Sequence, residues 1–343
     1  MPTAIFNSFE SGMIYAIMAL GVYLTFRILD FPDMTVEGSF VTGASVAAIM
    51  IVNGYSPILA TFCAMIAGFV AGTMTGLLHT KGKINSLLAG ILMMIALFSI
   101  NLRIMGASNI PMLSQTTIIT NIEEAWSRTG LDNMFNGIFS IIGLGDSLPK
   151  TWGILIVMLI VVVMIQVGMS AFLKTEVGLA LRATGDNEAM VKSFSAHTGN
   201  MKILGLAIGN ALVAFSGALV AQYNGFSDIG MGIGIIVIGL ASVIIGEALF
   251  GAKTIARATL AVIGGAIIYR IVVTLALRVK FLDTGDVKLI TALIVIGALI
   301  IPQISEKQKE KSRKKKRLKE LQLRHIETPS KGAKEFAAAK SDL

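Results

Sequence analysis

Nine apolar runs divide this chain, and their length decides what it can fold into. They span 11–28, 34–52, 58–78, 84–104, 152–173, 203–223, 229–250, 255–277 and 287–301. A helix needs about 20 mostly apolar residues to cross a bilayer. In lipid only helices and closed barrels satisfy their own backbone, and runs this long without alternation are helices. The expected fold class is therefore all-α: a polytopic membrane protein of about nine transmembrane helices. The second run opens on polar residues and the ninth is short, so these two fit the pattern least well.

Composition agrees. Of 343 residues, 54% are hydrophobic and 15% charged, with a mean hydropathy of +0.76, whereas soluble domains carry about a quarter charged residues. The net charge of +8 does not describe a nucleic-acid surface, because 13 of the 29 Lys and Arg follow Pro302. Residues 307–319 read KQKEKSRKKKRLK, a charged run without apolar periodicity or interleaved aromatics. A basic run just inside a membrane is drawn to anionic headgroups. The expected division is a transmembrane domain over 1–304 and a basic, disordered cytoplasmic tail over 305–343. The single Cys63 has no partner for a disulfide or metal site. The amino end lacks a basic region and a small-residue cleavage site, so no removable signal peptide is expected.

Lys and Arg in short loops set orientation. With the 174–189 loop inside, the inner face holds Arg27, Lys81, Lys83, Lys174, Arg182, Lys192, Lys202, Lys253, Arg257 and the basic tail. The outer face holds Arg103, Arg128, Lys150, Arg278, Lys280 and Lys288, the last three offset by Asp283 and Asp286. The amino end then lies outside and the carboxyl end inside. Between the fourth and fifth runs, residues 105–151 contain a weakly apolar stretch, 134–144, too short to cross; a re-entrant or surface helix is expected, with Trp126, Phe135 and Phe139 seeking burial.

Three short stretches bear on function. Residues 246–254 superficially resemble a phosphate-binding loop, but that loop needs Lys directly after its second Gly, and Ala252 intervenes. No ATPase is expected in this chain. Asp33 and Glu37 open the second run beside Thr35, Gly38, Ser39 and Gly43. A carboxylate there either caps a helix or lines a pathway. A partial echo, with Asp228 and Gly232, precedes the seventh run from the opposite face, as an inverted repeat with broken, Gly-rich helices would produce.

The longest polar interruption, residues 174–189, reads as a small helix lying across a membrane surface, followed by a second helical run to Ser195. Thr175, Gly178, Ala180, Leu181, Arg182, Ala183, Gly185 and Asn187 there match the pattern T-x-x-G-x-A-L-R-A-x-G-x-N. This resembles the cytoplasmic coupling segment of ABC-transporter permeases of the branched-chain amino acid, ribose and related family. The Asp33–Phe40 stretch looks closest to the tryptophan/tyrosine-type importer permeases, and Glu37 departs from the ribose-type pattern. The likeness extends from the first run to Pro302, including residues 12–27, 215–219 and 286–289.

The resemblance implies an importer fold of the type II-like class, with broken or re-entrant helices, in a bacterial plasma membrane. It implies a non-enzymatic permease moving a small solute, with an amino acid as the leading choice, and working as a dimer of two copies. A separate cytoplasmic ATPase would bind ATP and Mg; an extracytoplasmic binding protein would deliver substrate. Glu176, Gly178, Leu179, Leu181, Arg182, Ala183, Thr184, Gly185 and Asn187 would contact the ATPase. Thr35, Glu37, Gly38, Ser39, Gly43, Asp228 and Gly232 would line the pathway. Gly178 would let the chain turn out of the fifth span, with a residue carrying a Cβ strained there if φ is positive. A sugar or nucleoside importer, an ion-coupled secondary transporter, and a membrane-embedded receptor or structural protein remain as alternatives. An ion-coupled transporter would carry more ionisable groups within its spans than Glu37 and Arg270.

Overall fold

Eight of the nine apolar runs are helices in the computed structural model, which describes residues 2–132, 151–193 and 197–276, with single positions at 289–300 and 314. The ninth run, the 134–144 stretch and the basic tail lie outside the described residues. Helix α1 (Pro2–Val22) continues as a π-helical stretch over Tyr23–Ile28. Then come α2 (Thr35–Val52), α3 (Pro57–Thr80), α4 (Ser86–Met105), strand β1 (Asn109–Pro111) and α5 (Ile118–Ser127). After the undescribed gap follow α6 (Gly153–Phe172), α7 (Glu176–Asp186), α8 (Glu188–Ser193) and α9 (Thr198–Asn224). Strand β2 (Phe226–Asp228), α10 (Ile235–Phe250) and α11 (Ile255–Ala276) complete the described chain.

Seven of these helices are long and apolar enough to cross a membrane, and α10 is a shorter apolar helix. Local chemistry fixes their ends. Ser56 Oγ accepts the Leu59 N–H at 3.3 Å with Pro57 at the first helical position of α3, and Asn85 Oδ1 accepts the Leu87 N–H at 3.0 Å to start α4. Gly106, at φ +66°, ends α4 in the left-handed region that favours glycine.

The helices sort into an inner set and a lipid-facing set. In their most apolar windows α1, α2 and α9 are 78%, 72% and 72% buried, against 22% for α4 and 33% for α6. Helix α9 is the centre, packed on α1, α2 and α3. Gly68, Gly72 and Gly76 put one face of α3 against its backbone; a Cβ at Gly76 would lie 2.7 Å from Ile203 Cα. Without a hydrophobic force between helices in lipid, such backbone contact and interhelical hydrogen bonds hold the bundle. One such set ties α6 to α11: Gln166 Nε2 donates to Thr259 Oγ1 at 3.0 Å, and Ser170 Oγ lies 3.1 Å from the same hydroxyl.

Three segments differ from expectation. The first helix begins at Pro2, nine residues before the apolar run, and so carries Glu10 into the bundle. The seventh run is helical only from Ile235: residues 229–234 form turns, with Gly234 at φ +85°. The segment between α4 and α6 does contain a helix, α5, but it lies ahead of the 134–144 stretch and opens on a capping box between Thr117 and Thr120. Trp126 on it is half-buried, faces Gly153 and donates from Nε1 to Asp132 Oδ1 at 2.9 Å.

Candidate functional site

The 174–189 stretch folds as a helix docked on one end of the bundle, between α6 and α9 in the chain. Thr175 Oγ1 accepts the Gly178 N–H at 3.2 Å and starts α7. Gly178, Leu181, Thr184 and Gly185 fall on one face and turn toward the protein. Leu181 is fully buried, and with Leu29 it packs over Gly205. A Cβ at Gly178 would lie 2.6 Å from Leu173 Cα, and one at Gly185 would strike the Ile28 carbonyl. Gly178 is therefore required for space: its φ is not positive and it lies inside the helix, contrary to the turn anticipated from sequence. Thr184 Oγ1 donates back to the Ala180 carbonyl at 2.7 Å.

The opposite face is open and partly apolar. Leu179 is 51% exposed there and Met190 50% exposed on the following turn, while Val177, one turn before Leu181, is 41% exposed at the open start of the helix. Glu176 is exposed, while Arg182 and Ala183 are half-buried. Arg182 lies in the electrostatic neighbourhood of Tyr23, together with Arg27 and Glu247, which pair at 3.1 Å. Leu181 is thus committed to its own bundle, and Leu179 is free to meet another surface.

Helix α8 is fastened to α9. Asn187 is exposed and its Oδ1 accepts the Met190 N–H at 3.0 Å. Glu188 pairs with Lys202 of α9 at 2.8 Å and with Lys192 at 3.0 Å. The hydrogen bond from Lys202 chiefly holds the Glu188 carboxyl at about 2, against the opposing effect of its partial burial. Lys202 Nζ also lies 3.3 Å from His79 Nε2, whose Nδ1 is 2.8 Å from the Ile84 carbonyl.

A second site lies between α2, α4 and the turns before α10. A cavity of about 300 Å³ is lined by Glu37, Gly38, Val41, Asn101 and Gly232, with Met94, Ile95, Phe98 and Ile233 among its apolar walls. Glu37 Oε1 accepts the Gly234 N–H at 2.9 Å. Asn101, fully buried on α4, donates to the Gly38 carbonyl at 3.1 Å, and its Oδ1 has no hydrogen-bond partner. Gly232 lets its turn rest on the Glu37 carbonyl.

Three of the seven pathway candidates, Glu37, Gly38 and Gly232, therefore meet at one cavity. The others sit elsewhere. Thr35 Oγ1 pairs with Thr75 Oγ1 at 2.8 Å, and Gly43 is pressed against the Ala214 carbonyl, so both serve helix contacts. Ser39 is buried, with an unpartnered Oγ. Asp228 stands opposite Asn109 in the β1–β2 pair, and its Oδ1 accepts the Gly230 N–H at 2.8 Å. Asp33 does cap α2, accepting the Thr35 N–H at 3.0 Å, while Asn210 of α9 donates to its other oxygen at 2.6 Å. Sequence reasoning missed Asn101 and Asn210, lone amides inside apolar runs. Among the described residues, no group of three or more His, Cys, Asp or Glu is placed to hold a metal ion.

Comparison with known proteins bears on both sites. The family model described as "Branched-chain amino acid transport system / permease component" matches residues 4–302. The chain is 44% identical over 297 residues to the tyrosine transport system permease protein of Clostridioides difficile (strain R20291), covering 87% of this chain and 90% of that one. It is 34% identical over 244 residues to an uncharacterized protein of Rickettsia prowazekii (strain Madrid E), covering 71% and 77%. A Methanocaldococcus jannaschii protein named "Probable branched-chain amino acid transport permease protein LivH" is 25% identical over 218 residues, covering 62% and 64%. No solved structure matches the chain.

Proposed function

Because the chain belongs to the family of branched-chain amino acid transport system permease components, we propose that it is the membrane subunit of an ATP-driven importer of an aromatic amino acid. Transport by a multi-pass permease is the family's character; the energy source, substrate and partners are the proposal. The name of the C. difficile relative, which aligns over 90% of its length, supports tyrosine as the cargo. It favours an amino acid over the sugar or nucleoside alternative.

The observation that carries the ATP-driven reading is the two-faced helix α7. Its inner face, Gly178, Leu181, Thr184 and Gly185, is keyed to the bundle. Its outer face offers Leu179, with Arg182 and Ala183 beside it. A helix anchored without slack on one side and apolar on the other suits the transmission of force from a soluble partner. In this reading the partner is a cytoplasmic ATPase that binds ATP and Mg, and this chain holds neither. A binding protein delivers substrate from outside, two copies of the permease pair, the amino end is outside and the carboxyl end cytoplasmic. The 229–234 turns and the first turn of α2 then enclose part of the substrate pathway.

The test is reconstitution of the permease with its ATPase and binding protein in proteoliposomes. ATP-dependent uptake of L-tyrosine that requires all three components is expected. Uptake driven by an ion gradient without ATP would overturn the assignment.

A further inference from the structure

The cavity between α2, α4 and the turns before α10 carries a carboxylate at mid-span. Gly38 abuts Leu97, whose Cβ and Cδ1 would lie 2.9 Å from an added Cβ. Leu97 is the twelfth residue of the 20 in α4, about 17 Å along a helix of about 30 Å. Glu37, next to Gly38, therefore stands near the middle of a crossing helix and not at its end. An ionisable group at that depth is expensive and marks a pathway or a partner.

The surroundings of Glu37 say what the partner is. Of the described residues that line the cavity, Glu37 alone is charged, and it is half-buried there. One of its oxygens accepts the Gly234 N–H at 2.9 Å; the other has no partner among the described residues and stays accessible. Asn101, fully buried in the same wall, adds the negative end of an unpartnered Oδ1. The cavity thus awaits a positive charge. A metal ion takes a shell of oxygens, whereas Ile95, Phe98 and Ile233 line this cavity as exposed apolar side chains. An organic ammonium matches both features. Its three N–H donors suit the free carboxylate oxygen, and the Phe98 ring offers a face that attracts cations. The volume of about 300 Å³ is at the small end of ligand sites and suits a single amino acid.

We propose that this cavity is a receiving site for the α-ammonium group of the substrate, recognised by Glu37, with Met94, Ile95, Phe98 and Ile233 as the wall for an apolar or aromatic side chain. The site rests on the reading of the cavity as part of an amino-acid pathway, and adds which end of the substrate is recognised. With no Lys or Arg among the described lining residues, the site requires the amine and tolerates loss of the carboxylate.

The experiment is competition binding of radiolabelled L-tyrosine to the full-length permease in lipid nanodiscs. The competitors are L-tyrosine, tyramine, which lacks the carboxylate, and 3-(4-hydroxyphenyl)propionate, which lacks the ammonium. On wild type, tyramine is expected to compete within about threefold of L-tyrosine, and the propionate about tenfold more weakly or worse, the worth of a hydrogen bond to a charged group. Glu37→Gln keeps an oxygen for the Gly234 N–H and removes only the charge. It is expected to bring tyramine and the propionate within about threefold of each other. Phe98→Ala weakens L-tyrosine and tyramine by about threefold or more, the worth of a cation–π contact, and keeps their preference over the propionate. Undiminished selectivity in Glu37→Gln overturns the proposal, as does a wild type that rejects tyramine or binds nothing. Equal weakening of all three competitors in Glu37→Gln marks a purely structural role and overturns it too. ATP-driven L-tyrosine uptake by the reconstituted wild-type transporter separates the two readings. Uptake without this selectivity refutes the site alone; neither uptake nor binding refutes both.

Discussion

Glu37 accepts the backbone N–H of Gly234 at 2.9 Å, and this bond joins the first turn of α2 to the residue that starts α10. Both helices begin inside the bundle, and the cavity opens beside the bond. The carboxylate that sequence alone left between helix cap and pathway group thus caps a different helix while lining the cavity.

Gly38 is the neighbour most sensitive to change. A Cβ there would lie 2.9 Å from both Cβ and Cδ1 of Leu97 on α4, so Gly38→Leu must push α2 from α4 and fill the cavity. Overpacking of this kind costs about 1–3 kcal/mol. Uptake is expected to fall to background while the variant still reaches the membrane and co-purifies with the ATPase. Uptake at the wild-type rate would remove the cavity from the pathway.

Two glycines separate close approach from mere flexibility. Gly185→Ala drives a Cβ into the Ile28 carbonyl, whereas at Gly168 of α6 nothing lies within 4 Å of the added atom. The first substitution is expected to destabilise the protein by about 1–3 kcal/mol and lower its Tm. The second should be neutral or stabilising by up to about 1 kcal/mol, as Ala replaces Gly within a helix. Fluorescence-detected size exclusion after heating measures both; equal melting of the two variants would contradict the docking of α7.

The spans were legible because a bilayer imposes one length on every crossing helix, and eight runs of that length needed no tertiary information. The turns at 229–234 were not, since hydropathy reads the same for a helix and for a buried turn. The alternation of Gly230, Gly232 and Gly234 was the available signal. Glu10 was missed because it lies just before the apolar run at 11–28, and only the extension of α1 to Pro2 brings it inside. For α7 the pattern of small residues and Leu was readable, but not which face turned inward: Leu179 and Leu181 are alike in sequence and opposite in burial.

The fastening of α8 has a defined pH dependence. Glu188 titrates at about 2 in the folded protein, below its ordinary value of 4.5. A carboxylate lowered on folding stabilises the structure fully above its unfolded value and loses that contribution as pH falls toward the folded one. A nitroxide at Ser193, in a Cys63→Ser background, is therefore expected to show constant mobility from pH 5 to 8 and rising mobility as pH falls from about 4 toward 2. Lys202→Ala should show the mobile spectrum already at pH 7. A mobility change centred between pH 5 and 7 would assign control to another group.

The central claim is that α7 carries the signal between ATP hydrolysis and the spans, and the most direct test is the ATPase rate of the reconstituted complex with and without substrate-loaded binding protein. Leu179→Asp, Arg182→Glu and Ala183→Asp alter the outer face and edge of α7 and leave Gly178, Leu181, Thr184 and Gly185 in place. Loss of a contact at an interface centre costs about 2–5 kcal/mol, against under about 1 for an exposed charge. All three variants are expected to reach the membrane and to lose stimulation by the binding protein, the ratio of the two rates falling to about one, within error, as a coupling loss of that size requires. Wild-type stimulation in all three, with L-tyrosine uptake unchanged, would contradict the account.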